Sequence, residues 1–270
     1  MAEIAYPGTD KYSMAELVVI VFARQLAGPQ EMGTFGGGGR DNLIPLAAAQ
    51  LLRVVAAGQA MMGGGNTLPL GTWDPRLSAG AEYRGTMMDV VDAHIKCTRL
   101  QDDRNRAWGG GIQIDKYGNL NMIGVGKYPR LTLRGPGTVG TIWNRSGSRS
   151  LYTQHHSKRI LVDKVDYISG PGWMDGGDSR YKAYNGREGP WRLFTPICVF
   201  DFTEDTHAAR LVSVHPGYTV KDILDNTGFT PVLPEKVLQT TPPTDYELET
   251  LRTRVDRGGV LRKWTRMTVG

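Results

Sequence analysis

Three short glycine clusters hold the residues of this chain whose types and spacing could do chemistry. Ala60-Met61-Met62 runs into Gly63-Gly64-Gly65-Asn66, and similar runs stand at Gly36 to Gly39 and at Gly109 to Gly111. An apolar run ending in consecutive glycines predicts a strand that stops at bare backbone, because glycine alone lets main-chain N–H groups approach a ligand with no side chain between. The three loops are candidates to meet around one ligand. Taken singly, each reads first as a tight turn.

Sharper motifs are absent. None of the clusters completes G-x-G-x-x-G, since Asp41, Leu68 and Ile114 occupy the last position, so a dinucleotide fold is not expected. Gly126-Lys127 is followed by Tyr128 and not by Ser or Thr, which removes the Walker A reading. There is no G-x-S-x-G elbow and no H-E-x-x-H metal pair. His155 and His156 are adjacent, and in a strand they would point to opposite faces, one to the core and one to the surface. Cys97 and Cys198 are isolated and make neither a disulfide framework nor a zinc site.

The elements that must position these loops alternate. Ser13 with Glu16 forms a capping box ahead of an apolar run to Leu26, and Gly28-Pro29 ends that helix. Glu31 to Phe35 predicts a strand, Leu43 to Ala57 a buried helix closed by Gly58, and the run before Gly63 another strand. This order predicts an α/β fold, an open, mostly parallel sheet flanked by helices. Pro69 to Arg84 reads as a long loop, and Thr86 to Cys97 as a mixed segment. Trp108 to Asn121, Thr138 to Trp143 and Ile160 to Ser169 each predict a strand bounded by turns. Pro196 to Phe202 and Ala209 to His215 predict a hairpin around the polar turn Thr203 to His207. Val220 to Thr227 predicts a short helix, Pro231 to Pro243 a link, and Asp245 to Val255 an amphipathic helix. The expected organisation is an extension over 1–12, one domain over 13–256 and a disordered basic tail over 257–270 that carries Arg262, Lys263 and Arg266.

Composition narrows the class. The chain has 270 residues, 40% of them hydrophobic and 22% charged, as in an ordinary globular protein. Its longest apolar run, Leu17 to Ala23, is far short of the ~20 residues that cross a bilayer, and no charged, apolar leader opens the chain. A cytoplasmic protein without membrane contact is expected. The net charge of +5 comes from scattered cations offset by acids, which does not make the basic stripe of a nucleic-acid binder. It suits a small anionic ligand or an acidic partner subunit.

The most specific stretch is Gly109-Gly110-Gly111-Ile112-Gln113-Ile114-Asp115-Lys116-Tyr117-Gly118-Asn119-Leu120-Asn121. It reads as a strand with Gln113 and Asp115 on one face, a turn at 116–118, and two asparagines able to bond backbone or ligand. It resembles the G-A-x-Q-x-D-x-x-G-N-x-N segment of family I CoA-transferases, in the second subunit of the heteromeric members. Gln154-His155, Lys158-Arg159, Lys164 to Tyr167, Pro171-Gly172-Trp173, Val199 to Phe202, Leu211 to Pro216 and Asp225 to Phe229 extend the likeness over about Ser13 to Asp256. The resemblance implies an open α/β fold, an α subunit as partner in a heterodimer or heterotetramer, and a site at the subunit interface that handles acyl-CoA. It implies no permanently bound cofactor, CoA being part of the substrate.

In that family a strand of this subunit ends in a glutamate that attacks the thioester, forming an anhydride and then a glutamyl-CoA. The matching position here is Gly63, followed by Gly64, Gly65 and Asn66; Asp41 and Asp74 are the nearest acids and lie too far away. A second family loop, whose amides bind the thioester oxygen, is matched by Gly135-Pro136-Gly137-Thr138-Val139-Gly140. Backbone donors of that kind are worth about 3 to 4 kcal/mol when aimed at an oxyanion. The resemblance thus places oxyanion donors at Gly137 and Thr138 and substrate contacts at Gly63, Gly64, Gly65, Asn66, Gly110, Gly111, Gln113 and Asn119. Members without the glutamate include ring-opening hydrolases of steroid catabolism, in which the other subunit supplies the acid. That reading, a hydrolase of a cyclic acyl-CoA, is set against a true transferase and against a non-catalytic structural subunit. Arg145, Arg149, Lys158 and Arg159 read as a solvated basic face with CoA phosphates as the alternative.

Overall fold

Helix α1 (Met14–Leu26) turns a legible sequence pattern into packing. The Glu16 amide donates to Ser13 Oγ at 3.2 Å, and the Ser13 amide donates to Glu16 Oε2 at 2.8 Å, which is the expected capping box. Residues 14–23 are buried on every face, as a helix apolar all round requires. Glu16 is buried too, and Arg252 Nε meets its carboxylate at 2.7 Å. This arrangement comes from a computed structural model that describes residues 11–26, 34–36, 44, 47, 48, 51, 106–138, 141, 149–264 and 266–270. The glycines at 63–65, Asn66, the 69–84 loop and Cys97 lie outside those residues.

The described residues fall into two compact units, one drawn from 5–108 with 241–267 and the other from 109–240 with 268–270. In the first, Ile44, Ala47, Ala48 and Leu51 are helical and buried, with the i, i+3, i+4, i+7 spacing that predicted a core helix. Strands β1 (Thr34–Gly36) and β2 (Arg106–Gly109) pair in parallel, Thr34 opposite Arg106.

The second unit carries β3 (Gln113–Asp115), β4 (Leu120–Asn121), β5 (Gly124–Lys127), β6 (Arg130–Arg134), β7 (Arg149–Tyr152), β8 (His155–His156) and β9 (Leu161–Val162). After these come α2 (Ser179–Ala183), β10 (Arg192–Phe194), β11 (Cys198–Phe202), β12 (Ala209–Val214), α3 (Val220–Asn226) and β13 (Leu238–Gln239). Its main sheet runs β7-β10-β11-β12-β13, parallel at both ends and antiparallel through the β10, β11 and β12 meander. The class is α/β. Ile114, Leu151, Leu161, Leu193, Phe200, Leu211 and Ile223 form its core. The predicted hairpin is β11 with β12, and the predicted short helix is α3, capped by Thr219 with Asp222.

Several expectations are corrected. The strand expected over Ile160 to Ser169 is only β9, because the following amides turn to side chains: Asp166 N donates to Gln113 Oε1 at 3.1 Å and Val165 N to Asp115 Oδ2 at 3.5 Å. The strand expected from Thr138 is a tight turn in its described residues, with Thr141 N donating to Thr138 O at 2.9 Å. The helix expected over Asp245 to Val255 is α4 (Asp245–Thr250), which widens into a π-turn over Leu251–Val255. The tail expected to be disordered is ordered: Leu261 is fully buried, its carbonyl accepts from Ser13 Oγ at 2.9 Å, and β14 (Thr268–Val269) pairs in parallel with β8. Apolar residues spaced among the tail's cations supply that burial.

Candidate functional site

The 113–121 segment is a closed hydrogen-bond unit. Gln113 is 6% exposed and Asn119 1% exposed. Asp115 Oδ1 accepts from the Tyr117 and Asn119 amides, both at 3.0 Å, and the Asn119 amide nitrogen Nδ2 spans the Asp115 carboxylate. Asn119 Oδ1 then accepts from the Gly172 and Met174 amides at 2.8 and 3.1 Å, while its Nδ2 also reaches Met174 O at 2.7 Å. Asn121 Nδ2 donates to Gln113 Oε1 at 2.6 Å and to Gly124 O at 2.7 Å, and its Oδ1 accepts from the Ile123 and Gly124 amides. Burial pushes the Asp115 carboxyl above its ordinary value, and these donors pull against the shift. The pattern read as ligand-binding therefore fastens the 165–174 loop and the start of β5 to β3. Gln113 and Asn119, expected as substrate contacts, stand in this structure as framework residues with their polar atoms bonded within the chain.

Gly110 and Gly111 answer to packing in the same way. A Cβ on Gly110 would stand 2.7 Å from the Tyr152 carbonyl oxygen, and one on Gly111 would stand 2.7 Å from the Gln113 carbonyl oxygen. Close backbone approach within this unit requires glycine at both positions. The cleft above the network, about 250 Å³, is lined by Asp115, Lys116, Asp163, Lys164, Met174 and Asp175 among others. Its rim charges pair with each other, Lys116 with Asp163 at 2.8 Å and Lys164 with Asp175 at 3.8 Å.

The 135–138 turn folds back on the base of β5. Gly135 N donates to Ile123 O at 2.9 Å and Gly137 N to Met122 O at 3.1 Å. A Cβ at 135 would stand 2.1 Å from the Met122 carbonyl oxygen, and Gly137 has φ +93°, so both positions need glycine. The Gly137 amide, expected as an oxyanion donor, is bonded within the chain in this conformation. Ser169 Oγ ties the turn to the framework: it donates to Leu120 O and accepts from Met122 N at 2.9 Å and from Thr141 Oγ1 at 3.0 Å.

Two further groups complete the picture. His155 and His156 point oppositely as expected; His156 is fully buried between Thr195 Oγ1 and Thr227 Oγ1, both 3.0 Å away, and burial lowers its pKa to about 3. Arg180 was not singled out by any motif. It is fully buried and donates to the carbonyls of Pro171, Gly172, Arg187 and Glu188, which gathers two loops around Trp173. Among the described residues, no group of three or more His, Cys, Asp and Glu is placed to hold a metal ion, and no helix is long and apolar enough to cross a membrane.

Comparison with known proteins gives concordant results. The profile of the coenzyme A transferase family matches residues 100–226. The cholesterol ring-cleaving hydrolase IpdB subunit of Rhodococcus jostii is 30% identical over 218 residues, covering 79% of this chain and 82% of that one. The second, B-type subunit of 3-oxoadipate CoA-transferase from Pseudomonas knackmussii is 28% identical over 250 residues, 89% of this chain and 92% of that one. Among solved structures, Rhodococcus jostii IpdAB superposes with a TM-score of 0.74 at 26% identity, covering 94% of this chain and 98% of that one. Glutaconate coenzyme A-transferase from Acidaminococcus fermentans shares the fold with a TM-score of 0.78 at 24% identity and the same coverage.

Proposed function

We propose, from the premise that this chain belongs to the coenzyme A transferase family, that it is the second subunit of a heteromeric enzyme that opens the ring of a cyclic acyl-CoA by hydrolytic carbon–carbon cleavage. The observation that carries the reading is the sequence Gly63-Gly64-Gly65 where the family resemblance puts the nucleophilic glutamate. Without that carboxylate on this chain, no anhydride or glutamyl-CoA forms here, and acyl exchange loses its usual route. The acid–base group then belongs to the companion α subunit, and the bare backbone at 63–65 leaves room for a fused ring system. The relative named as a cholesterol ring-cleaving hydrolase supports this choice.

Within this reading, Gly63 to Asn66 line the acyl group and the 135–138 turn polarises the thioester. Because Gly137 N is bonded to Met122 O, the donor role at that turn falls to Thr138 N. The framework of Gln113, Asp115, Asn119 and Asn121 holds the turn's base at Met122 and Ile123. A transferase is the second reading, favoured by the longer match to the 3-oxoadipate CoA-transferase. The test is a steady-state assay of this chain assembled with its α subunit. The hydrolase reading expects a ring-opened CoA thioester as product and no exchange of CoA between acyl-CoA and free acids. Exchange with ping-pong kinetics, together with a trapped glutamyl-CoA on this chain, would decide for the transferase.

A further inference from the structure

The β5–β6 hairpin carries charges that no described residue offsets. Between Gly124 and Arg134 there are three cations, Lys127, Arg130 and Arg134, and no acid. All three are exposed, and none forms an ion pair with a described residue. Lys127 stands directly opposite Arg130 in the ladder, a like-charge cross-strand pair that works against the hairpin it sits on. Asp166 reaches the hairpin but bonds the Gly126 amide at 2.8 Å and Gln113, not a cation. At the tip, between the two cations, the Tyr128 ring is 83% exposed while its amide is pinned by the Tyr167 hydroxyl at 2.8 Å. A two-stranded ribbon is marginal by itself, so these side bonds keep a cationic, aromatic tip in place.

The hairpin also has a direction. Strand β6 leads from this tip straight into the 135–138 turn, and at about 3.4 Å per residue Arg130 lies about 14 Å from Arg134 along the strand. A thioester at the turn would send its extended pantetheine arm along such a strand and bring its nucleotide phosphates to the far end. We propose that Lys127 and Arg130 bind the phosphate groups of acyl-CoA, with Tyr128 offering its face to the adenine. Flexible cations suit exposed phosphates as charge-assisted donors, and an aromatic ring accepts any base by stacking. This assignment rests on the reading of the chain as an acyl-CoA enzyme, but not on whether the reaction is hydrolysis or transfer.

The experiment is calorimetric titration of CoA into the assembled two-subunit complex. The double variant Lys127→Gln with Arg130→Gln should weaken CoA binding roughly tenfold and flatten its salt dependence. Lys127→Arg should retain the wild-type affinity, and Arg134→Gln, at the turn end, should stay within about twofold of it. Unchanged CoA affinity in the double variant overturns the assignment. So does loss of subunit assembly in that variant with CoA affinity kept in the complex that remains, since the tip would then serve an acidic protein surface. Cation-dependent CoA binding in a complex that proves to exchange acyl groups leaves this site standing while the ring-opening reading fails.

Discussion

Two neighbouring stretches, 113–121 and 124–134, both carry polar or charged side chains and use them in opposite ways. In the first, the Gln113, Asp115, Asn119 and Asn121 side chains are buried and bonded to one another or to nearby backbone. In the second, Lys127, Arg130 and Arg134 are exposed and make no ion pair with a described residue. A buried polar group needs its bonds inside the protein or it costs stability, so these side chains are committed first to the framework. An exposed, self-repelling cation pair without a described counter-ion keeps its charge for a ligand. The strongest sequence signature of the segment is therefore architectural, and the plainer neighbouring run carries the unsatisfied charge.

That contrast can be broken or sharpened by measurement. Asn119→Ala should show the largest effect, because it strands the Gly172 and Met174 amides and half-empties the Asp115 carboxylate; a loss of about 4 kcal/mol in denaturant unfolding is expected. Arg180→Met should cost about 3 kcal/mol by the same assay, since it orphans four loop carbonyls while keeping the apolar stem. If either variant unfolds like the wild type while losing CoA affinity, the division between framework and ligand residues collapses.

Acid tests the framework differently. Burial lowers His156 to about 3 and His215 to about 4 from 6.5, so between those values and 6.5 the unfolded chain binds protons that the folded chain refuses. Stability should fall as pH drops through that window, by on the order of 2 kcal/mol per histidine at pH 5. Asp115, raised by burial, works with the opposite sign. Denaturant titrations at pH 7.5 and pH 5 read the sum, and His156→Gln should shrink the difference. Gly111→Ala comes next, about 1 to 2 kcal/mol, because its Cβ would press on the Gln113 and Asn121 carbonyl oxygens at 2.7 and 3.0 Å. Least of all, Lys127→Gln should leave stability within about 0.5 kcal/mol or raise it slightly, by relieving the pair with Arg130.

Legibility varied with the range of the forces involved. The capping box of Ser13 and Glu16, the buried helix at 44, 47, 48 and 51 and the β11–β12 hairpin were readable because each depends on contacts within a few residues. The 160–169 stretch was not, since its apolar alternation competes with Asp166 and Val165 amides drawn to side chains about fifty positions away. The ordered tail was likewise invisible: its cations spoke for solvent, while Leu261 and Val269 found burial only in the folded protein.

The sequence alone determined the α/β class, the family through its ordered motifs, and the absence of a glutamate at Gly63, because residue identity and short-range spacing carry all three. The tertiary structure decided which polar residues are occupied. Whether Gln113, Asn119 or Gly137 can face a ligand depends on where Asp166, Gly172 and Met122 come to lie, and those partners are set by long-range packing that no local pattern encodes.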